Sequence, residues 1–315
     1  MVIVAAGLGI MNYFEHSDNN ALASDDRGQE IYDIGGQKCY KKQNVETYLL
    51  MGVDSTGSVK EAAPDANNHC QSDVNTLLVI DRVANTYSTL SINRDAMVTT
   101  KILNQEGNPV GESVLQLALV HAMGDGKERS CEMTADSISA LLYDQPIDGY
   151  VSLNIDSIGE INKLLGGVEV TVNTDLTSED PALREGAKVR LTDKQAEIFV
   201  RHRKGVADGT NENRMSRQKV FIEAASDVFK EKCREDDQFA LKAVKELDEY
   251  MVTDLTNSQF SKIAKAVLKN KEVKCPEITG KRTISDYSGW AEVNLDQKSI
   301  DKAVIELFYT PIDDK

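Results

Sequence analysis

The amino-acid sequence predicts an α/β fold with a small, mostly helical C-terminal appendage, and three observations predict it. Short apolar and β-branched runs at residues 44–54, 74–82 and 86–92 read as strands. Segments with helical spacing, the longest at 213–232, follow them along the chain. Near Cys233 the composition changes, and the remainder reads as short helices. A chain of 315 residues suffices for one large α/β domain plus an appendage.

The elements follow in order. Residues 1–11 (MVIVAAGLGIM) carry no charge, and the first basic residue is Arg27. Spanning a bilayer takes about 20 apolar residues, so the run is either the outer end of a transmembrane helix or an ordinary apolar terminus. Residues 12–44 are polar and read as a stalk or linker. The strand at 44–54 delivers Asp54 to its edge. The runs 74–82 and 86–92 flank Ala84-Asn85 and form a hairpin, which sets Asp73 beside Arg94 although they are distant in sequence. Residues 112–123 and 132–143 have helical spacing, separated by Gly124 and Gly126. GYVSLNI (149–155) is a strand, and Asp156 caps a helix that Gly166-Gly167 closes. VEVTV (168–172) is a further strand, and Thr192 caps a helix that ends near Val200. Beyond 234 the helices are 239–250, 258–269 and 299–308, with a strand near Val273 and a loop around the sole tryptophan, Trp290. Trp290 stands near Tyr287; it either stacks on a sugar or belongs to the core.

Charge narrows the function. The net charge is -15, yet residues 201–219 (RHRKGVADGTNENRMSRQK) gather Arg201, Arg203, Lys204, Arg214, Arg217 and Lys219. Arg214 and Gln218 share a helix face near its N-terminus. Guanidinium groups beside a helix N-terminus suit a phosphate; the alternative is a solvated basic face. The cluster is short and lacks interleaved aromatics, which argues against nucleic acid. Asp54 and Asp73 fall at strand ends, and their oxygens suit Mg²⁺ beside a pyrophosphate; the alternative is a turn or cap role. His16, His69, His121 and His202 have no evident partners, and no H-E-x-x-H, P-loop or G-x-S-x-G motif is present. The five cysteines, Cys39, Cys70, Cys131, Cys233 and Cys275, lack metal-ligand spacing and read as free thiols or as one or two disulfides.

The ordered motifs GVDS (52–55), QSD (71–73), SINRD (91–95), IDGYVSLN (147–154), LLGGVEV (164–170) and VRHRKG…NRMSRQ (200–218) resemble the LytR-CpsA-Psr family. No single motif is specific; six in order are. The resemblance implies a central mixed β-sheet flanked by helices, with an apolar tunnel for a polyprenyl tail. It implies a catalytic domain over 45–234 and assigns no role to the appendage, 235–315, whose helices could cover the domain, contact wall glycan or bind a partner. It implies that residues 1–11 are the remnant of a single-pass membrane anchor, with the catalytic domain on the extracytoplasmic side. The implied activity is Mg²⁺-dependent transfer of a glycopolymer from a polyprenyl-pyrophosphate carrier to peptidoglycan. Asp54 and Asp73 match the metal-binding acids. Arg94, Arg201, Arg203 and Arg214 match the pyrophosphate arginines, with Gln218 beside them. Asp95 is a candidate base or a strand-end cap. Two positions depart from the pattern: Gln71, often arginine, and Asn211, often aspartate, for which nearby Asp208 is a substitute. A polyprenyl-pyrophosphate pyrophosphatase and a non-catalytic polyprenyl-phosphate-binding regulatory module are the alternatives.

Overall fold

The computed structural model describes residues 23–25, 27–61, 70–104, 106–202, 211–286 and 288–312. Residues 1–11, expected as an anchor remnant, lie outside them. No helix among the described residues is long and apolar enough to cross a membrane.

The described residues open with β1 (Ala23–Ser24), β2 (Glu30–Ile34) and β3 (Gln37–Lys41), then the long strands β4 (Val45–Val53), β5 (Ser72–Asp81) and β6 (Thr86–Ile92). A ribbon follows, β7 (Met97–Leu103) and β8 (Pro109–Gln116), leading into α1 (Leu117–Ala122) and α2 (Glu128–Leu141). Next come β9 (Tyr150–Asn154), α3 (Ser157–Leu165), β10 (Glu169–Thr171), β11 (Lys188–Arg190), α4 (Asp193–Arg201) and the 25-residue α5 (Asn211–Glu235). The last part holds α6 (Phe239–Glu246), β12 (Met251–Thr253), α7 (Asn257–Lys269), β13 (Lys271–Glu272), β14 (Gly280–Ile284), β15 (Ala291–Leu295), α8 (Gln297–Phe308) and β16 (Tyr309–Pro311).

The central sheet has the order β12-β9-β4-β5-β6-β13. It is mixed: β9 runs parallel to β4, and β4, β5 and β6 are successively antiparallel. β4 lies in the middle and is apolar on both faces (VETYLLMGV), as a strand covered from two sides must be. One face, through Leu49, Met51, Leu77 and Leu90, packs against α1, α2 and α8. The other, through Tyr48, Leu78 and Val151, packs against Phe260, Ile263 and Val267 of α7. A second core of Leu165, Phe199, Val200 and Phe221 joins α3, α4 and α5. This is the mixed, helix-flanked sheet that the motifs implied.

Three expectations are corrected. Residues 112–116 extend a strand rather than a helix, because β7 offers a hydrogen-bonding partner from Met97 to Leu103; only Leu117–Ala122 is helical. Residues 235–315 are not an appendage. They supply both edge strands of the central sheet, β12 and β13, while Ile300, Ala303, Val304 and Leu307 of α8 fill the main core. Trp290 is not core: it is 55% exposed, beside the β14–β15 hairpin. All five cysteines are free thiols.

Candidate active site

The site forms where β4 ends and β5 begins. Gly52 pairs with Val74, but Val53 already pairs with Ser72, so Asp73 is the extra residue of a β-bulge. A bulge breaks the strict alternation of side chains and re-aims the residue it inserts. Here it turns a carboxylate, not an apolar group, toward α5. The Asp73 side chain is 6% exposed, and both of its oxygens meet guanidinium groups. Arg94, in the turn after β6, pairs with Oδ1, and Arg214, in the first turns of α5, reaches Oδ2 at 2.9 Å. The β5–β6 hairpin thus brings Asp73 and Arg94 together as its sequence suggested, and α5 adds the second arginine.

Gln71 joins the two expected acids to this cluster. Its backbone N–H donates to Asp54 Oδ1 at 2.7 Å, and its Oε1 accepts from Arg94 Nη2 at 2.6 Å. The preceding carbonyl, of Cys70, lies 2.7 Å from Nδ1 of buried His121. His121 therefore has a partner after all. Its other nitrogen faces the Cys131 thiol, and burial lowers its pKa from the usual 6.5. Asp95 is tied to Arg94: its Oδ1 accepts from Nε at 3.2 Å, while Asn93 caps the Asp95 N–H. Asp95 is thus itself capped, and its own carboxylate faces the guanidinium.

Arg201 is the last residue of α4, whose start is fixed by a capping box between Thr192 and Gln195. Its Nη1 reaches Asp156 Oδ1 at 3.1 Å. Asp156 stands at the N-cap position of α3 but makes no side-chain cap, because its own φ and ψ are helical (-74°, -15°). Its second oxygen instead accepts from Gly57 N–H at 2.8 Å, and Asn154 Nδ2 donates to Gly57 O at 2.6 Å. Asp156 and Asn154 therefore clamp the loop after Asp54 to the α4 arginine. Only the IDGYVSLN motif, which ends at Asn154, pointed to this place. Gln218 is buried one helical turn after Arg214. Arg203, Asp208 and the side chain of Asn211 lie outside the described residues.

An apolar strip of the sheet, crossed by α5 and left partly exposed at Leu50, leads away from the arginines as a slot. α5 crosses one sheet face. Arg214 stands over Asp73, and sixteen residues later Lys230 pairs with Glu272 at 3.3 Å and lies over the Tyr87 ring, at the opposite end of the strands. Beneath it the sheet presents Leu50, Gly52, Val74 and Leu153, which share a face by their pairing. Leu50, on a central strand, is 38% exposed. Gly52 lies tight against its neighbour: a Cβ there would sit 3.2 Å from Val74 Cβ. Ile222, on the helix stripe of Arg214 and Gln218, is 44% exposed. Tyr48 and Leu78, packed on α7, close the far end.

The donor chemistry fits a hard cation. Asp54, just past the end of β4, and Asp73, on β5, offer carboxylate oxygens of the kind that suit Mg²⁺, which takes few protein ligands and completes its shell with water and phosphate oxygens. Among the described residues no group of three His, Cys, Asp or Glu side chains gathers to hold a metal.

The model of the LytR_cpsA_psr family matches residues 10–307. The polyisoprenyl-teichoic acid–peptidoglycan teichoic acid transferase TagU of Bacillus cereus (strain AH820) is 25% identical over 227 residues, 70% of this chain and 65% of that protein. Its namesake in Halalkalibacterium halodurans is 25% identical over 230 residues, 71% and 66% of the two chains. The chain thus spans slightly less than two thirds of these curated relatives. Among solved structures, B. subtilis TagV superposes with a TM-score of 0.61 at 20% identity, covering 84% of this chain and 96% of that one. A structure described as "TagT bound to LI-WTA" superposes at 0.59 and 21% identity, covering 90% and 97%. Protein gbs0355 of Streptococcus agalactiae gives 0.64 at 18% identity, covering 83% and 87%. These likenesses show the fold. With the family model matched over nearly its whole length, the chain belongs to the LytR_cpsA_psr family.

Proposed function

We propose that the chain is a phosphotransferase that moves a glycopolymer from a polyprenyl-pyrophosphate carrier to peptidoglycan. The observation that carries this reading is the pairing of two buried guanidinium groups, on one bulged carboxylate, with the mouth of an apolar slot. A diphosphate with a long apolar tail matches both halves. The relatives named as teichoic acid transferases support the same class.

Binding exchanges one anion for another. Arg94 and Arg214 turn from Asp73 to the phosphate oxygens, and Arg201 adds a third cation from α4. The tail lies along Leu50, Gly52, Val74 and Leu153. Asp54 and Asp73 are the residues that would hold Mg²⁺, which supplies charge neutralisation on the diphosphate. A wall-sugar hydroxyl attacks the sugar-linked phosphorus; the new O–P bond forms as the phosphoanhydride breaks, and polyprenyl phosphate leaves. Asp95, next to Arg94, takes the hydroxyl proton. The arginines stabilise charge that grows on the leaving phosphate. Residues 1–11 are read as the outer end of an anchor that places the site outside the cell membrane.

The test is a turnover assay with a short-chain polyprenyl-pyrophosphate oligosaccharide, Mg²⁺ and uncrosslinked peptidoglycan oligomer, with products read by mass. A phosphate-linked glycan conjugate is expected, and Arg94→Ala and Arg201→Ala should each lower its rate by about 10²-fold or more. Free polymer phosphate in place of the conjugate would mean that water is the acceptor. Intact lipid throughout would mean a binding module.

A further inference from the structure

Arg217 is the largest fully buried side chain among the described residues, 1% exposed, and the phosphate chemistry above does not use it. It sits on α5 between Arg214 and Gln218 but faces α4. Its Nε donates to Phe199 O at 2.8 Å, and its Nη2 donates to His202 O. Among the described residues no carboxylate pairs with it.

Burying a guanidinium without a counter-ion is unfavourable, so the placement needs a reason. The last four carbonyls of a helix lack intrahelical partners and carry partial negative charge. The Phe199 carbonyl is one of these in α4. His202 is the first residue past the helix end. The two acceptors therefore bracket Arg201. A lysine could neutralise the helix end, but only a planar fork with several N–H groups can fix two carbonyls three residues apart. What the two bonds fix is the backbone that carries Arg201, held against the helix that carries Arg214.

We propose that Arg217 is a positioning residue for the diphosphate site: it pins the end of α4 to α5, so that Arg201 and Arg214 keep the spacing at which they grip one diphosphate. It touches neither substrate nor reacting atoms and acts through Arg201. The inference rests on the phosphate-site reading above. It also goes beyond that reading, because it makes the two helices one unit.

The test uses the full chain and inorganic pyrophosphate, titrated by calorimetry well below the unfolding midpoint of each variant. Arg217→Met should weaken pyrophosphate about tenfold while still unfolding cooperatively. Arg217→Lys, which can bond one carbonyl, should recover part of the loss. In a double-mutant cycle the Arg201→Ala/Arg217→Met double variant should bind little more weakly than Arg201→Ala alone, because Arg217 works only through Arg201. A merely structural role predicts additive losses. Additivity, or wild-type affinity in a folded Arg217→Met or Arg217→Lys, would overturn the proposal. Absence of pyrophosphate binding by the wild type would instead remove the phosphate-site reading, and this inference with it.

Discussion

Replacing Asp73 by asparagine keeps the side-chain shape and removes the charge that Arg94 and Arg214 share. The two arginine side chains are 12% and 4% exposed and Asp73 6%, so solvent screens little of the interaction. An exposed ion pair contributes about 0–1 kcal/mol, whereas removing one partner of a buried pair costs about 3–5 kcal/mol. The buried figure applies here, because asparagine keeps one acceptor oxygen for two guanidinium groups. Urea unfolding of Asp73→Asn should therefore show a loss of about 3–5 kcal/mol. Pyrophosphate should act in the opposite direction. In magnesium-free buffer the variant's arginines need not leave a carboxylate, so the variant should bind pyrophosphate at least as tightly as the wild type. At one fixed saturating concentration, tenfold tighter binding adds about 1.4 kcal/mol more stability, so the gap between the two proteins should narrow by about that much for each tenfold gain in the variant's affinity. With Mg²⁺ and carrier substrate, turnover by the variant should fall by about 10²-fold or more. Equal unfolding midpoints in the absence of ligand, or pyrophosphate affinity that falls with the charge, would refute the exchange of carboxylate for phosphate.

Three further outcomes are expected. Gly52→Leu should fill the slot over Val74, lowering affinity for a long-tailed carrier at least tenfold while leaving inorganic pyrophosphate binding unchanged by calorimetry. Burial lowers the pKa of His121, so the folded protein keeps it neutral where the unfolded chain takes up a proton. Stability should therefore fall as pH drops below 6.5, by at most about 1.4 kcal/mol per pH unit from this group, and thermal unfolding of His121→Asn should lack that component. Thr192→Ala breaks the capping box of α4 and should lower stability by about 1 kcal/mol in urea unfolding, with turnover little changed at 25 °C.

The legible parts of the fold were those with a local signal. The β5–β6 hairpin could be read because apolar runs flank Ala84-Asn85, and Asn85 adopts the left-handed φ of 53° that such a turn needs. That hairpin alone predicted the neighbourhood of Asp73 and Arg94. The bulge at Asp73 was not legible, because it exists only in the pairing of β5 with β4. Residues 112–116 contain apolar groups at both strand and helix spacings, and the presence of β7 decided between them. Asp156 carries the composition of an N-cap, but its helical backbone sends the carboxylate to Gly57 and Arg201. The C-terminal part was misread for a related reason. β12 is three residues, too short for any periodicity, and its importance lies in the open edge of β9 that it covers. The slot was legible only through the family resemblance and not through periodicity, since a leucine on a central strand reads as core until it proves exposed.

The pairing of the last strand with the third has a consequence for how the chain assembles. β16 completes the small sheet by bonding β3, and Lys42 Nζ donates to Glu306 O across 264 positions of sequence. β12 and β13 close the two edges of the central sheet from equally late segments. Contacts of such long range are slow to form, and a sheet that waits for them shows bare edges to other chains. During synthesis, β4, β5, β6 and β9 are complete while both flanks are still unmade. A chain emerging residue by residue thus carries an adhesive, half-built sheet until β12 and β13 arrive. Its yield in a cell should depend on whatever holds nascent chains apart, even where the finished fold is robust.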